Sequence, residues 1–335
     1  MTDANDAAIL AALAGWLAEG HAAALATVVS TWGSAPRGIG AHMAVRGDLA
    51  FAGSVSGGCI EAAVIAEAGA MLADGRPRRI DVGVGDDAAW AVGLPCGGRI
   101  AVGLMAPARE TIRTLLDAIG RGEPAALAYA PETGRAAAVT AHGAAGDLAL
   151  AASDLSRVRE LAEQDRSGVL ADGLFVRAYG PPWRLVLVGA VHIAQALAPM
   201  AAAAGFQVVV VDPRPAFAAP ARFPVGEVRC GWPDAVLPDL RLDRRTALVT
   251  LAHNSGIDDD ALVLALEAGC FHVGALGSRR THAARRRRLA ERGVPEQALD
   301  RLSAPVGLDI GARTPAEIAV SVLAEAIAIR RRNMT

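Results

Sequence analysis

The sequence of 335 residues predicts an α/β protein, with an N-terminal α+β domain and a C-terminal domain built on a doubly wound parallel sheet. Three observations predict this fold class. Residues 184–214 have the pattern of a strand, a helix and a second strand. Later in the chain, short apolar strands again alternate with helical patterns, whereas the stretch before residue 180 contains hairpin-like pairs of strands.

The clearest pattern lies in residues 184–214. Residues 185–188 are a short, β-branched apolar run closed by Gly189, which is typical of a buried parallel strand. Residues 194–204 favour a helix, and residues 208–211 are the next strand. Because polar residues, glycine and proline interrupt this stretch, it does not fit a membrane span. The unit is therefore Rossmann-like.

In a Rossmann-like unit, the loop after the first strand binds phosphate at a helix start, and an acid ending the second strand binds ribose hydroxyls. Gly189 and Asp212 occupy these two positions, and His192 lies in the loop. A dinucleotide-binding loop requires glycine at position 191, where the chain has Val191. The sequence therefore disfavours NAD(P) as a cofactor.

Composition excludes several function classes. A net charge of -2 and 4% aromatic residues provide no surface for nucleic acid. Every basic residue is arginine, which excludes a lysine Schiff base and the lysine of a Walker A loop. The first residues lack the features of an export signal, so we expect a cytoplasmic protein. The four cysteines form no C-x-x-C pair, so we expect free thiols rather than a structural zinc site.

The N-terminal domain is predicted to begin with a helix and a hairpin. The pattern predicts helices over residues 9–17, 60–72 and 107–119, and strands over residues 25–31, 41–45, 49–52, 100–105, 125–129, 136–140 and 148–152. Residues 168–179 are predicted to form one further hairpin. Prolines at 181 and 182 forbid a continued helix or central strand. We therefore place the domains at 1–179 and 183–335, with a linker over 180–182.

Two loops of the N-terminal domain combine cysteine with glycine. The first contains Ser56, Gly57, Gly58 and Cys59, and the second contains Cys96, Gly97 and Gly98. The first loop directly precedes a predicted helix, whose unpaired amide groups can bind an anion and lower the pKa of a thiol. The alternative is a tight turn with a small buried thiol. Sequence alone does not place the two loops together.

In the C-terminal domain, two further strands end in polar residues. A strand over residues 247–252 ends at His253 and is followed by a helix over residues 258–268. A strand over residues 271–276 is followed by Gly277, Ser278, Arg279 and Arg280. Arginine forks match oxyanion geometry, so these residues are a candidate phosphate clamp. The later arginines at 285–288 fit a solvated helix face, and Thr314 and Glu317 predict a capping box for the last helix.

Five segments, taken together, resemble a known family. They are GSVSGGCIEAAV at 53–64, LPCGGRI at 94–100, VDPRPAFAAPARFP at 211–224, VGALGSRRT at 273–281 and PVGLDIGARTPAEIAVSVLAE at 305–325. This combination is similar to the XdhC/CoxI family, accessory proteins of molybdenum hydroxylases such as xanthine dehydrogenase. The resemblance implies a maturation chaperone rather than a catalyst, which binds molybdenum cofactor (molybdopterin) as cargo, supports its sulfuration and inserts it into its target.

The family resemblance also implies partners and site residues. It implies an apo molybdenum hydroxylase and a cysteine desulfurase as partners, and a homodimer. Carried onto this sequence, Cys59 and Cys96 become candidate cofactor and molybdenum contacts. The chain departs from the family at Val191, where glycine is common, and at residues 254–255, where an acid and a histidine are common. His192 and His253 therefore stay candidates, and an NAD(P)-dependent oxidoreductase or a cofactor-free assembly scaffold remain the alternatives.

Overall fold

A computed structural model gives the architecture and describes residues 4–33, 35, 37–58, 60–82 and 98–332. The chain divides into two compact units, Met1–Pro181 and Pro182–Thr335. The sheets of the first unit are antiparallel, and the sheet of the second unit is parallel.

Two five-stranded antiparallel sheets form the N-terminal unit. Its elements are α1 (Ala4–Ala18), β1 (Ala23–Trp32), β2 (His42–Arg46), β3 (Phe51–Gly53), α2 (Glu61–Asp74), β4 (Arg78–Val82), β5 (Arg99–Met105), α3 (Arg109–Gly120), β6 (Ala125–Tyr129), β7 (Ala136–Thr140), β8 (Gly143–Gly146), α4 (Ala152–Glu163), β9 (Gly168–Val169) and β10 (Phe175–Tyr179). The strand orders are β3-β2-β1-β5-β4 and β8-β7-β6-β10-β9.

The two sheets share an apolar core on their facing sides. Alternate residues of a strand point to one face, so Leu25 of β1 and Phe175 of β10 enter the same core together with residues of α1 and α3. The hydroxyl of Tyr129 crosses between the sheets and donates to the Leu104 carbonyl at 3.1 Å. α2 covers the outer face of the first sheet, and α4 covers that of the second. The unit is therefore a layered α+β structure.

A buried polar network runs through this core. The two ring nitrogens of His42 lie 2.9 Å from the Thr27 hydroxyl and 2.6 Å from the Tyr179 hydroxyl. Complete burial lowers the pKa of His42 to about 4, so the ring is neutral at pH 7. Beside it, Arg177 forms a buried ion pair with Asp6. This network joins α1 to strands of both sheets.

The C-terminal unit is a six-stranded sheet in which every strand is parallel to its neighbours. Its elements are β11 (Trp183–Val188), α5 (His192–Ala203), β12 (Phe206–Asp212), a 3-10 turn (Pro220–Arg222), β13 (Glu227–Cys230), α6 (Pro233–Leu240), β14 (Thr246–Thr250), α7 (Ser255–Glu267), β15 (His272–Ala275), α8 (Arg279–Glu291), α9 (Glu296–Leu299), β16 (Leu302–Ser303) and α10 (Pro315–Arg332). The strand order is β13-β12-β11-β14-β15-β16.

This order confirms the predicted doubly wound fold. It is the 3-2-1-4-5-6 order of a Rossmann sheet, in which the strand order reverses between β11 and β14. α5 and α10 bury one face of the sheet, and α6, α7, α8 and α9 bury the other. Ligands of such folds bind outside the carboxyl ends of the strands, at the reversal point.

One predicted strand is wrong, and seven of the described elements were not predicted. Residues 148–151 pair with no strand of the described chain, and α4 begins at Ala152. The apolar alternation arises because Leu148 and Leu150 pack against the core under α4 without forming a ladder. The unpredicted elements are β4, β8, α4, β13, α6, α9 and β16.

None of the helices in the part of the chain that the structure describes is both long and apolar enough to cross a bilayer.

Candidate functional site

In the N-terminal unit, three connections leave the first sheet at the same end. Strand β1 ends there at Trp32, and its antiparallel neighbours β2 and β5 begin there. β3 and β4 run parallel to β1, so they also end there, at Gly53 and Val82. Trp32, Gly53 and Val82 therefore end their strands at one common end of the sheet, which we call the loop edge. Residues 54–60 begin there, and β5 starts there at Arg99.

The first of the two cysteine-glycine loops is organised by a residue that was not singled out from the sequence. The side chain of Glu61, at the start of α2, accepts hydrogen bonds from the hydroxyls of Ser54 and Ser56. It also accepts from the backbone amides of Val55, Ser56, Gly57, Gly58 and Ile60, at 2.9–3.2 Å. The predicted anion cradle is therefore present, and the chain fills it with its own carboxylate.

This arrangement fixes the charge of Glu61. Burial alone would raise the pKa of its carboxyl, but the hydrogen bonds from Ser54, Ser56 and the loop amides outweigh burial and lower the pKa to about 2. Glu61 is thus ionised at every physiological pH. The signal available in the sequence was an acid in the first turn of a helix that follows a glycine loop.

Cys59, Cys96 and Gly97 lie outside the described residues. Their nearest described neighbours are at the loop edge: Gly58 and Ile60 flank position 59, and Gly98 precedes β5. At the same edge the indole of Trp32 is 70% exposed, with the Arg99 guanidinium 5.7 Å from its ring centre. Within the described ranges, no group of three or more His, Cys, Asp or Glu side chains is arranged to hold a metal ion.

The N-terminal unit also contains an open cleft of about 570 Å³. Its lining includes Ser30 near the end of β1 and Phe175 of β10, with the acids Glu132, Asp154 and Asp172 on other walls. A cleft of this volume has the size of a small-molecule site. None of the residues selected from the sequence lines it.

In the C-terminal unit, the parallel sheet brings the candidate residues to one edge. Gly189 and His192 follow β11, Asp212 ends β12, His253 follows β14, and Gly277, Ser278, Arg279 and Arg280 follow β15. Because all these strands run in the same direction, their carboxyl ends meet along this edge. We call it the carboxyl edge.

Gly189 is required by a close approach between two loops. Its φ is 110°, and a Cβ there would lie 2.6 Å from the backbone nitrogen of Ala252. His253, next along the second loop, has a left-handed φ of 55° and is exposed. Such backbone strain concentrates at functional sites. His192 is also exposed, at the start of α5.

The carboxylate of Asp212 is fully engaged by the chain itself. One oxygen accepts from the Ala190 amide at 2.7 Å and from Arg214 Nη2 at 2.7 Å. The other accepts from the Arg214 amide at 2.9 Å and from its Nε at 2.8 Å. Burial would raise the pKa of Asp212, but these Arg214 and backbone hydrogen bonds keep it below the usual value. The buried carboxylate is therefore an anion with four donors.

Residues 214–223 fold back onto the start of α5. The Arg222 guanidinium donates to the carbonyls of Ala190 and Phe217, at 2.9 and 2.7 Å, and to the side chain of Gln195 at 3.2 Å. Arg214 lies 3.7 Å from the centre of the Phe217 ring. We call residues 214–223 the fold-back segment. Arg214 and Arg222 were not selected from the sequence, because only the tertiary fold shows their partners.

The start of α8 carries positive charge without a carboxylate. Ser278 caps the helix by accepting from the Thr281 amide at 3.2 Å. In the described chain, no hydrogen bond or ion pair involves the side chain of Arg279 or Arg280, and both residues are exposed. The later arginines differ: Arg288, for example, forms an ion pair with Asp259 at 2.6 Å.

Two buried residues lie under this helix start. Arg285 is 2% exposed and donates from Nη2 to the Leu276 carbonyl at 2.9 Å, but its Nε and Nη1 have no acceptor. Asp258 is also 2% exposed, and its Oδ1 has no donor. Burial raises the pKa of Asp258 to about 6, against the opposing effect of Arg285. The sequence placed Arg285 on a solvated helix face, and this prediction is wrong because Arg285 is buried next to Asp258 of α7. Asp258 was not singled out from the sequence.

These contacts test whether NAD(P), which a Rossmann sheet implies, fits here. The acid that should bind ribose is occupied by Arg214, the loop amide of Ala190 is already bonded, and Val191 stands where pyrophosphate needs glycine. The residues present do not fit a dinucleotide in the usual position.

Comparison with known proteins identifies the family. Residues 16–83 match the XdhC and CoxI family, and residues 185–326 match the XdhC Rossmann domain. The chain is 33% identical to the molybdenum cofactor insertion chaperone PaoD of Escherichia coli K12, over 94% of this chain and 85% of PaoD. It is 31% identical to a Bacillus subtilis 168 protein described as a probable subunit of xanthine dehydrogenase, over 92% and 94% of the two chains.

A solved structure has the same fold. A crystal structure described as a xanthine dehydrogenase from Bacillus halodurans superposes with a TM-score of 0.81 and is 27% identical, covering 98% of this chain and 96% of the other. The similarity therefore extends over both units. Together, these matches show that the chain belongs to the XdhC and CoxI family, as the sequence motifs indicated.

Proposed function

We propose that this protein is a molybdenum cofactor insertion chaperone. It binds the cofactor as cargo, supports its sulfuration and delivers it to a molybdenum hydroxylase such as xanthine dehydrogenase. The observation that carries the proposal is the 33% identity to a molybdenum cofactor insertion chaperone, which extends over 94% of this chain. Similarity along both units, rather than to one domain, supports a shared role and not only a shared fold.

The chemistry of the cargo matches groups on both units. Molybdopterin carries a phosphate, a pterin ring and a dithiolene that binds molybdenum. Thiolates are suitable soft ligands for such a metal, and Cys59 and Cys96 belong to segments that meet the loop edge. Arg279 and Arg280 offer unpaired cations for the phosphate. We propose Cys59 and Cys96, with Gly97 and Gly98, as metal contacts of the N-terminal unit, and Arg279 and Arg280, with Gly277 and Ser278, as phosphate contacts of the C-terminal unit. Ser56, Gly57 and Gly58 instead donate to Glu61.

Partners follow from the same role. A cysteine desulfurase supplies the sulfur that replaces an oxo ligand of molybdenum, and an apo hydroxylase accepts the finished cofactor. We propose that the protein acts in the cytoplasm as a homodimer. In this role the chain holds and transfers its cargo, so it is a maturation factor rather than a catalyst.

Anaerobic titration of the purified protein with molybdenum cofactor, read by absorbance, tests the proposal. We expect saturable binding that Cys59→Ala or Cys96→Ala weakens by about tenfold or more. Cys230→Ala is the control, because it removes an exposed thiol that lies in the C-terminal unit. An absence of saturable binding by the parent protein would contradict the proposal.

Two further outcomes distinguish the alternatives. An assembly scaffold would capture the apo hydroxylase equally well after both cysteine substitutions, and would bind no cofactor. An oxidoreductase would bind NAD(P) saturably, which the contacts of Asp212 oppose. Transfer of bound cofactor to apo hydroxylase, measured as recovered hydroxylase activity, completes the test of insertion.

A further inference from the structure

The carboxyl edge of the C-terminal unit has two unequal halves. The first half, around β12 and the start of α5, is where a Rossmann fold holds the ribose and pyrophosphate of a nucleotide. The second half lies beyond the reversal point, around β14, β15 and the start of α8. The polar groups of the first half bond to each other, whereas in the second half Arg279 and Arg280 have no bonded partner among the described residues and Arg285 is only partly bonded.

In the first half, the fold-back segment takes the contacts that a nucleotide would make. An ionised carboxylate has about four lone-pair positions, and Asp212 already accepts four hydrogen bonds. Arg222 holds the fold-back segment against the carbonyl of Ala190 and the side chain of Gln195. No acceptor position of Asp212 is left for a ribose hydroxyl.

In the second half, cations lack partners. Arg279 and Arg280 are exposed, and they stand at a helix start, where the helix dipole already makes the potential positive. Arg285 is buried beneath them with two of its nitrogens, Nε and Nη1, unbonded, and a Cβ at Gly277 would lie 3.7 Å from its Nη2. Asp258 supplies the nearby buried carboxylate. Asp259 also lies close to Arg285, but it is paired with Arg288.

We infer that the C-terminal unit binds a phosphate ester at the α8 half of its carboxyl edge, while its own fold-back segment closes the half that would hold a nucleoside. An anion at Gly277–Arg280 would interact favourably with the positive end of the helix dipole and pair with Arg279 and Arg280. It would also offset the buried charge of Arg285. The inference rests on the proposed function only in naming the cofactor phosphate as the ester.

Inorganic phosphate and AMP are the probes, because they share a phosphate and differ by a nucleoside. Titration of the full-length protein, followed by ³¹P NMR, should give saturable binding of both, with dissociation constants that agree within about threefold. AMP that binds about tenfold or more tightly than phosphate would show an open nucleoside site and overturn the inference. An absence of saturable phosphate binding would also overturn it.

Variants locate the site. We expect the double variant Arg279→Ala/Arg280→Ala to weaken phosphate binding by about tenfold or more. Arg287→Ala is the control, since it removes one positive charge from an exposed position further along the same helix and should leave binding unchanged. Equal phosphate binding by the double variant and its control would contradict the assigned site. Circular dichroism confirms that both variants fold.

A third variant tests whether the fold-back segment closes the first half. Arg214→Ala removes two of the four donors of Asp212, so AMP should now bind more tightly than phosphate. The inference predicts that this gain disappears when Asp212→Asn is added. Equal binding of AMP and phosphate by Arg214→Ala would mean that Arg214 does not close this half, contrary to the inference.

Competition separates this inference from the proposed function. Cofactor that binds without being displaced by phosphate would overturn the phosphate-ester site and leave the chaperone role standing. If phosphate binds with the expected dependence on Arg279 and Arg280 but the protein never binds cofactor, the phosphate-ester site stands and the chaperone role is overturned.

Discussion

The loop before α2 and the loop before α8 place similar small residues at a helix start, yet they treat charge in opposite ways. In the first loop, Glu61 accepts seven hydrogen bonds from residues 54–60. In the second loop, no acid stands in the first turn, and Arg279 and Arg280 add positive charge. A glycine-rich helix start is therefore an anion site only when the chain does not supply the anion.

The largest expected loss of stability comes from removing the Glu61 carboxylate from the first loop. Glu61→Ala removes the acceptor of five amides and two hydroxyls, so the free energy of unfolding should fall by about 3 kcal/mol, measured by urea denaturation. Glu67→Ala is the control on the same helix, because its contact with Arg78 is exposed and should contribute less than about 0.5 kcal/mol. Equal stability of the two variants would show that the loop does not depend on Glu61.

Acid should weaken the first loop through the same residue. The pKa of Glu61 falls from 4.5 to about 2 on folding, so its ionised form stabilises the folded state above pH 4.5. This contribution is lost as the pH falls from 4.5 towards 2. The difference in unfolding free energy between the parent and Glu61→Gln should shrink across this window, whereas a constant difference would exclude a charge effect. His42 also titrates in acid, but it is common to both proteins.

Removing one serine from each loop compares how much the hydrogen bonds of the two loops contribute to stability. Ser56 is 1% exposed, donates to Glu61 and accepts from the Ile60 amide, so Ser56→Ala should cost about 2 kcal/mol. Ser278 is an exposed cap that accepts only from Thr281 N–H among the described backbone amides, so Ser278→Ala should cost about 1 kcal/mol. Thermal unfolding of both variants gives the order. A larger loss of stability for Ser278→Ala than for Ser56→Ala would contradict the expectation that the first loop contributes more to stability.

The smallest expected effect on stability is a gain. Arg280→Glu replaces a cation with an acid at the start of α8, where the helix dipole favours negative charge, so stability should rise by about 0.5 kcal/mol. The same change should abolish phosphate binding. If Arg280→Glu is less stable than the parent and still binds phosphate, the start of α8 does not favour an anion, and the two loops do not differ in the way described.

Sequence reasoning predicted the Rossmann-like sheet because buried parallel strands and their helices have strong periodicities. The capping box of α10 was also predictable, and Glu317 accepts from the Thr314 amide at 2.9 Å. The strand expected at residues 148–152 failed because apolar alternation does not show whether a partner strand exists.

The sequence predicted where the candidate residues lie relative to the strands, but it did not predict which residues they contact. The motifs placed His253 and Arg279 at strand ends, and the parallel sheet brings such ends to one edge. The partners of Asp212 lie in a loop whose path depends on tertiary packing, and Arg285 becomes buried only when α7 and α8 pack together. Hydrogen-bond satisfaction of this kind is a property of the folded chain, which local pattern does not encode.

The size of the loop edge limits how many partner proteins can dock there at the same time. Five strands about 4.8 Å apart span only about 20 Å, whereas a standard protein interface of about 800 Å² per partner is about 28 Å across. A protein that docks on this edge therefore covers all the strand ends that lie there at once. In the proposed function, a cysteine desulfurase and a hydroxylase that both dock on this edge would therefore compete for it and bind in succession. Their relative concentrations would set the pace of maturation.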